Sequence, residues 1–197
     1  MGVIMIKKKV LSIILIFTVM IMAFSCGSDY SNKTGTELVI VNIAPMYLDN
    51  QTDDVDAFQD RCGTTSDWTP EVFKKHTANI LLENRLLPGV TDSSSAGWIK
   101  VNRYIVRYLP VEANLPALDP IDFRTSELKI NAAAQSTFTI DIFPINRKVD
   151  FASKMGYINT VVHYDATIEI WGETEYGDPV NVNGTVTLTL GDFNNCE

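Results

Sequence analysis

Between Val162 and Ile170 the chain alternates without a break. Val162, Tyr164, Ala166, Ile168 and Ile170 fall on one side, and His163, Asp165, Thr167 and Glu169 on the other. A period of two belongs to a strand with one face in a core, because successive side chains point to opposite faces. A second run answers it: Val180, Val182, Val186, Leu188 and Leu190 interleave with Asn181, Asn183, Thr185, Thr187 and Thr189. Gly177-Asp178-Pro179 supplies turn chemistry between the two, so the pattern predicts a C-terminal β-hairpin.

Earlier runs are less regular but of the same kind. Strands are expected over Leu38–Tyr47, His76–Glu83 (Ala78, Ile80 and Leu82 inward), Trp98–Leu109 and Gln135–Phe143 (Ser136, Phe138, Ile140 and Ile142 inward). A weaker one is expected over Phe123–Ile130. Val149, Ala152 and Met155 recur at helical spacing and predict a short helix or crossover over Ile145–Met155. Pro88-Gly89, the serines 93–95 and the stretch Pro110–Pro120 read as loops. Six to seven strands with little helix predict an all-β fold, an antiparallel two-sheet sandwich. Over residues 38–197 this pattern is similar to the immunoglobulin/fibronectin III-like sandwiches.

The N-terminus follows a different rule. Lys7, Lys8 and Lys9 precede an uncharged, apolar run from Val10 to Phe24. As a helix, fifteen residues reach about 22 Å, short of the ~30 Å hydrocarbon core of a bilayer. That length suits the apolar region of a secretory signal peptide, residues 1–25. Ala23-Phe24-Ser25-Cys26 resembles the lipobox of bacterial lipoproteins. The resemblance implies cleavage before Cys26 and acylation of its thiol. Gly27, where an Asp would signal retention in the inner membrane, implies a lipid anchor in the outer membrane of a Gram-negative envelope. Ala23 and Ser25 also satisfy the small-x-small rule of ordinary signal peptidase, which would release a soluble chain. Residues 26–37 are polar and turn-rich, a lipidated N-terminus and tether reaching roughly 17–20 Å from the membrane.

Three cysteines are an odd number for an exported chain. Acylation of Cys26 leaves Cys62 and Cys196 as a pair. A bridge between them would close a 134-residue loop, worth at most about 5 kcal/mol of chain entropy.

Charge narrows the partners. The full chain carries a formal −8, and loss of residues 1–25 removes three lysines and no acid, leaving 13 Lys plus Arg against 24 Asp plus Glu. Such a chain repels nucleic acid. The aspartates Asp49, Asp53, Asp54 and Asp56 invite a calcium reading, but the EF-hand spacing of Gly and Glu is missing, and a solvated acidic loop is the alternative. His76 and His163 are expected at the surface, and no GxSxG, HExxH or phosphate-loop pattern is present. Asp165 and Glu169, about 13 Å apart on one strand, are too distant for a glycosidase pair, which needs roughly 5–9.5 Å. Trp68, Trp98 and Trp171 could offer a sugar-stacking surface, and Trp171 is favoured because the alternation puts it on a polar face. These readings point to a non-catalytic envelope lipoprotein that needs no cofactor and presents its sandwich surface to an envelope partner. A ligand-binding module for carbohydrate or calcium is the alternative.

Overall fold

A computed structural model describes residues 34–63, 67, 69–156 and 160–193. In chain order its strands are β1 (Thr36–Tyr47), β2 (Asn50–Gln51), β3 (Asp54–Asp56), β4 (Arg61–Cys62), β5 (Thr69–Pro70), β6 (His76–Leu86), β7 (Ile99–Pro110), β8 (Ile121–Ile130) and β9 (Gln135–Phe143). A helix, α1 (Ile145–Met155), then precedes β10 (Val162–Thr174) and β11 (Pro179–Gly191). One sheet runs β2-β1-β6-β9, and the second runs β3-β11-β10-β7-β8. The seven long strands thus fall into layers of three and four. Consecutive β6 and β7 lie in different layers, as do β8 and β9, which is the crossover scheme of immunoglobulin-like sandwiches.

The expected alternation builds the space between the layers. Ala78, Ile80 and Leu82 of β6, Phe138, Ile140 and Ile142 of β9, and Val162, Tyr164, Ala166, Ile168 and Ile170 of β10 are all buried. The hairpin keeps one register along its length, with Val162 opposite Leu190, Tyr164 opposite Leu188 and Ile170 opposite Val182. At Gly184 the other layer comes close: an added β-carbon would stand 2.8 Å from Ile43 Cδ1.

Four details depart from the sequence expectation. β3 runs parallel to β11, pairing Asp54 with Thr189 and Asp56 with Gly191, so the second sheet is not wholly antiparallel. The chain crosses over after β2 and reaches the far edge of the other layer in the direction of β11. This three-residue neighbour flanks only the Thr189–Gly191 end of β11. Leu188 and Leu190 are therefore buried, while Val180, Val182 and Val186 are only partly covered. Glu169, placed by alternation on the solvent face, is 22% exposed because Arg107 Nε donates to its carboxylate at 2.7 Å.

The fourth departure is the face of α1. The helix occupies its expected span, ended by Gly156 at φ +66°, a conformation costly for residues with a β-carbon. Ala152 and Met155 pack against the core as the spacing predicts. Val149, however, is 57% exposed, and Lys148 and Phe151 are fully buried. Phe151 meets Phe58 and Tyr164 edge-on, at 5.8 and 6.1 Å between centroids. An aromatic ring buries more area than valine, and its contact sets the rotation of the helix.

Candidate binding cleft at Trp171

The outer face of the β8-β7-β10 region begins from a break in phase. Ile99 and Val101 of β7 point inward, and so do Tyr104, Val106 and Tyr108; all five are buried. Odd positions face the core before residue 102 and even positions after it. Asn102 is the extra residue. Against β10, Trp171 pairs with Arg103 and Gly172 with Val101, so Asn102 is skipped. Against β8, Val101 pairs with Leu128 and Arg103 with Arg124, so three residues of β8 (125–127) face one of β7. Two irregularities therefore meet at one residue. Bulges kink a strand and re-aim its side chains, and they recur next to binding sites.

The result is a cleft of about 430 Å³ lined by Asn102, Arg103, Arg124, Thr125, Glu127, Trp171 and Gly172. Small-molecule clefts run from roughly 300 to 1,000 Å³. Gly172 is required by close approach: a β-carbon there would overlap the carbonyl oxygen of Lys100. Trp171 is half-buried, and its Nε1 is shielded from solvent without a hydrogen-bond partner.

The charges around the cleft are ordered by pairing. Arg103 donates from Nε and Nη2 to the two oxygens of Asp122, at 2.8 and 2.6 Å. This fork holds the Asp122 carboxyl below its ordinary range. Lys100 lies 2.9 Å from Glu173 and 3.1 Å from Glu127, and those bonds, Glu173 first, push its ammonium up. Arg124 is exposed and enters no ion pair among the described residues. The cleft thus offers one ring, one uncommitted guanidinium, a carboxamide, a hydroxyl and a carboxylate already half neutralised by Lys100.

A second polar group lies at the α1 end of the sandwich and is sealed. Lys148 Nζ sits 4.6 Å from the centroid of Phe73 and 4.8 Å from that of Tyr47, and burial lowers it to about 8. Asp56 is also buried, with Oδ1 accepting the backbone N–H of Phe193 at 3.3 Å. Burial, and then the charge of Glu71, raise Asp56 to about 6. The Glu71 carboxylate accepts the backbone N–H of Asp60 at 3.0 Å. His76, expected at the surface, is instead fully buried. Its Nε2 donates to the Thr52 carbonyl at 2.8 Å, and its ring stacks on Tyr47 at 5.5 Å. Burial holds it below its ordinary range. The spacing of α1 gave no warning of this group, because Lys148 reads as a solvent residue until Phe151 turns it inward. These side chains tie β1, β3, β6 and α1 together.

The other residues singled out from the sequence are scattered. Asp49, Asp53 and Asp54 are exposed while Asp56 is buried. Among the described residues no three His, Cys, Asp or Glu side chains are grouped to hold a metal ion. His163 Nδ1 lies 2.6 Å from Glu112 Oε1. Asp165 accepts from Thr187 Oγ1 at 2.7 Å. Trp98 carries Lys129 Nζ at 4.7 Å from its ring centroid. Cys62 belongs to β4, paired with Thr69. Cys26, Cys196 and Trp68 lie outside the described residues, as does the expected signal peptide. No helix among the described residues is long and apolar enough to cross a membrane. Of the predicted site residues that are described, Asp56 belongs to the sealed group at α1, and Trp171 is joined by the functional groups of the open cleft. Its companions Asn102, Arg103 and Arg124 were signalled by the phase change in β7 and by a matching one in β8, where Ile121 and Phe123 give way to Leu128 and Ile130. No family model matches the chain, and neither a curated protein nor a solved structure matches it.

Proposed function

We propose that this chain is a non-catalytic lipoprotein of the bacterial outer membrane, anchored through an acylated Cys26. Its sandwich presents the outer face of β8, β7 and β10 to another envelope component. The observation that supports this reading is the cleft itself. Two bulges converge on Asn102, and a glycine is spent at position 172 to let the backbones approach. Regular pairing would cover the sheet more simply, and irregularity of this kind is characteristic of recognition surfaces. The side chains in the cleft suit binding rather than bond-breaking: Glu127 and Arg103 are engaged in ion pairs, and no histidine or cysteine lines it among the described residues.

A Cys62–Cys196 disulfide belongs to the same proposal. The backbone N–H of Ala57 donates to Gly191 at 2.8 Å and that of Phe193 to Asp56. These bonds bring the chain three residues before Cys196 beside the chain six residues before Cys62. A bridge there would fasten the end of the domain in an oxidising compartment.

The test is photo-crosslinking in the living envelope. A photoreactive residue replacing Thr125, in the cleft, is expected to give a discrete adduct. The same residue replacing Thr139, exposed on β9 of the other layer, is expected to give none. Equal labelling at both positions, or none at either, would overturn the proposal.

A further inference from the structure

We infer that the Trp171 cleft takes a carboxylate-bearing sugar, such as a uronic acid unit of an envelope or extracellular polysaccharide. This rests on the reading of the cleft as the recognition point. The class follows from the lining. A single aromatic ring among polar side chains is poor for an apolar ligand, which wants a mostly hydrophobic wall. It suits a pyranose, whose C–H face lies on a ring while its rim of hydroxyls needs donors and acceptors in the plane. Asn102 and Thr125 supply both kinds, and Glu127 supplies an acceptor.

The charge follows from Arg124. Arg103 has both its forks' worth of carboxylate in Asp122, and Lys100 is shared by Glu127 and Glu173. Arg124 is the lining cation left without an ion pair among the described residues. One uncommitted guanidinium matches one carboxylate, which it can grip with two parallel hydrogen bonds. A doubly charged phosphate would be under-compensated. A long polyanion would meet the acidic balance of the mature chain, 13 Lys plus Arg against 24 Asp plus Glu. The ligand is therefore a sugar that brings one carboxylate to the cleft, and binding weakens as salt screens the pair.

The experiment is calorimetric titration of the mature protein in detergent micelles with galacturonic acid and with its methyl ester. The two share every ring hydroxyl; the ester has lost the charge and gained a methyl group. The acid is expected to bind at least tenfold more tightly than the ester. Arg124→Gln should remove that difference. Trp171→Ala should lose both ligands, and Trp171→Phe, which keeps a stacking face, should recover part of the affinity; urea midpoints report whether each variant is folded. Equal affinity for acid and ester, or an acid preference that survives Arg124→Gln, overturns the inference. If neither sugar binds but Thr125 still cross-links to an envelope protein, the sugar assignment fails and the recognition reading stands. If cross-linking fails as well, both fall.

Discussion

Gly172 and Lys100 sit back to back across neighbouring strands, so close that a β-carbon on the glycine would overlap the lysine's carbonyl oxygen and lie 3.0 Å from its carbon. Backbone cannot swing aside as a side chain can. Gly172→Ala is therefore expected to cost roughly 1–3 kcal/mol, the range for overpacking, and to displace Trp171 next to it. Urea unfolding gives the loss, and the tryptophan emission of the folded protein should shift. An alanine variant as stable as the parent would mean that the β7–β10 bulge adapts freely.

Stability should vary with pH through the sealed group at α1. Asp56 is raised from 3.8 to about 6, so between these values the folded chain keeps a proton that the unfolded chain has released. Stability must fall as pH rises through that window. Lys148 is lowered from 10.5 to about 8, so between about 8 and 10.5 the unfolded chain holds the extra proton and stability must rise with pH. His76, held low in the same group, favours folding as pH rises towards 6.5, so each limb is read against a variant. By urea midpoints the parent should lose stability relative to Asp56→Asn between about pH 4 and 6, and gain it relative to Lys148→Met between about pH 8 and 10. A difference between parent and Asp56→Asn that stays constant from pH 4 to 6 would contradict the burial of that carboxyl.

The two faces of the C-terminal hairpin should respond differently. Leu188 is fully buried and Thr187 exposed. Leu188→Ala should cost about 2–5 kcal/mol. Thr187→Ala, which loses a surface hydrogen bond to Asp165, should stay within about 0.5 kcal/mol. Comparable losses at both would mean that the outer face is also covered.

Cysteine chemistry separates anchor from bridge. Cys26→Ser should move the protein from the membrane to the soluble fraction, since a multiply acylated chain is released negligibly and an unacylated one has no hold. Non-reducing peptide mapping of the mature protein should recover Cys62 linked to Cys196. A free Cys26 thiol on soluble wild-type protein would remove the anchor, and two alkylatable thiols at 62 and 196 would remove the bridge.

Most of the strand content is a local matter and was readable as such. Period-two runs such as Ala78-Ile80-Leu82 and Val162 to Ile170 specify both the element and the face it buries, because a slip of one residue would turn the whole set to water. The phase change at Asn102 was equally present in the order of residues, yet a bulge is defined by two partners, and nothing local says which strands lie beside β7. That is why Trp171 could be suspected from alternation while Asn102, Arg103 and Arg124 could not be joined to it. The same holds at α1. Helical spacing found Ala152 and Met155, but the choice between Val149 and Lys148 was settled by Phe58 and Tyr164, which lie 93 and 13 positions from Phe151 along the chain and meet it only through the packing of the layers. Burial of a lysine becomes tolerable where distant Tyr47 and Phe73 close over its ammonium and Asp56 and Glu71 stand near. Alternation and turn chemistry act over a few residues and are written along the chain; the cleft and the sealed charges depend on contacts between distant segments, and only the folded sheet order brings those segments together.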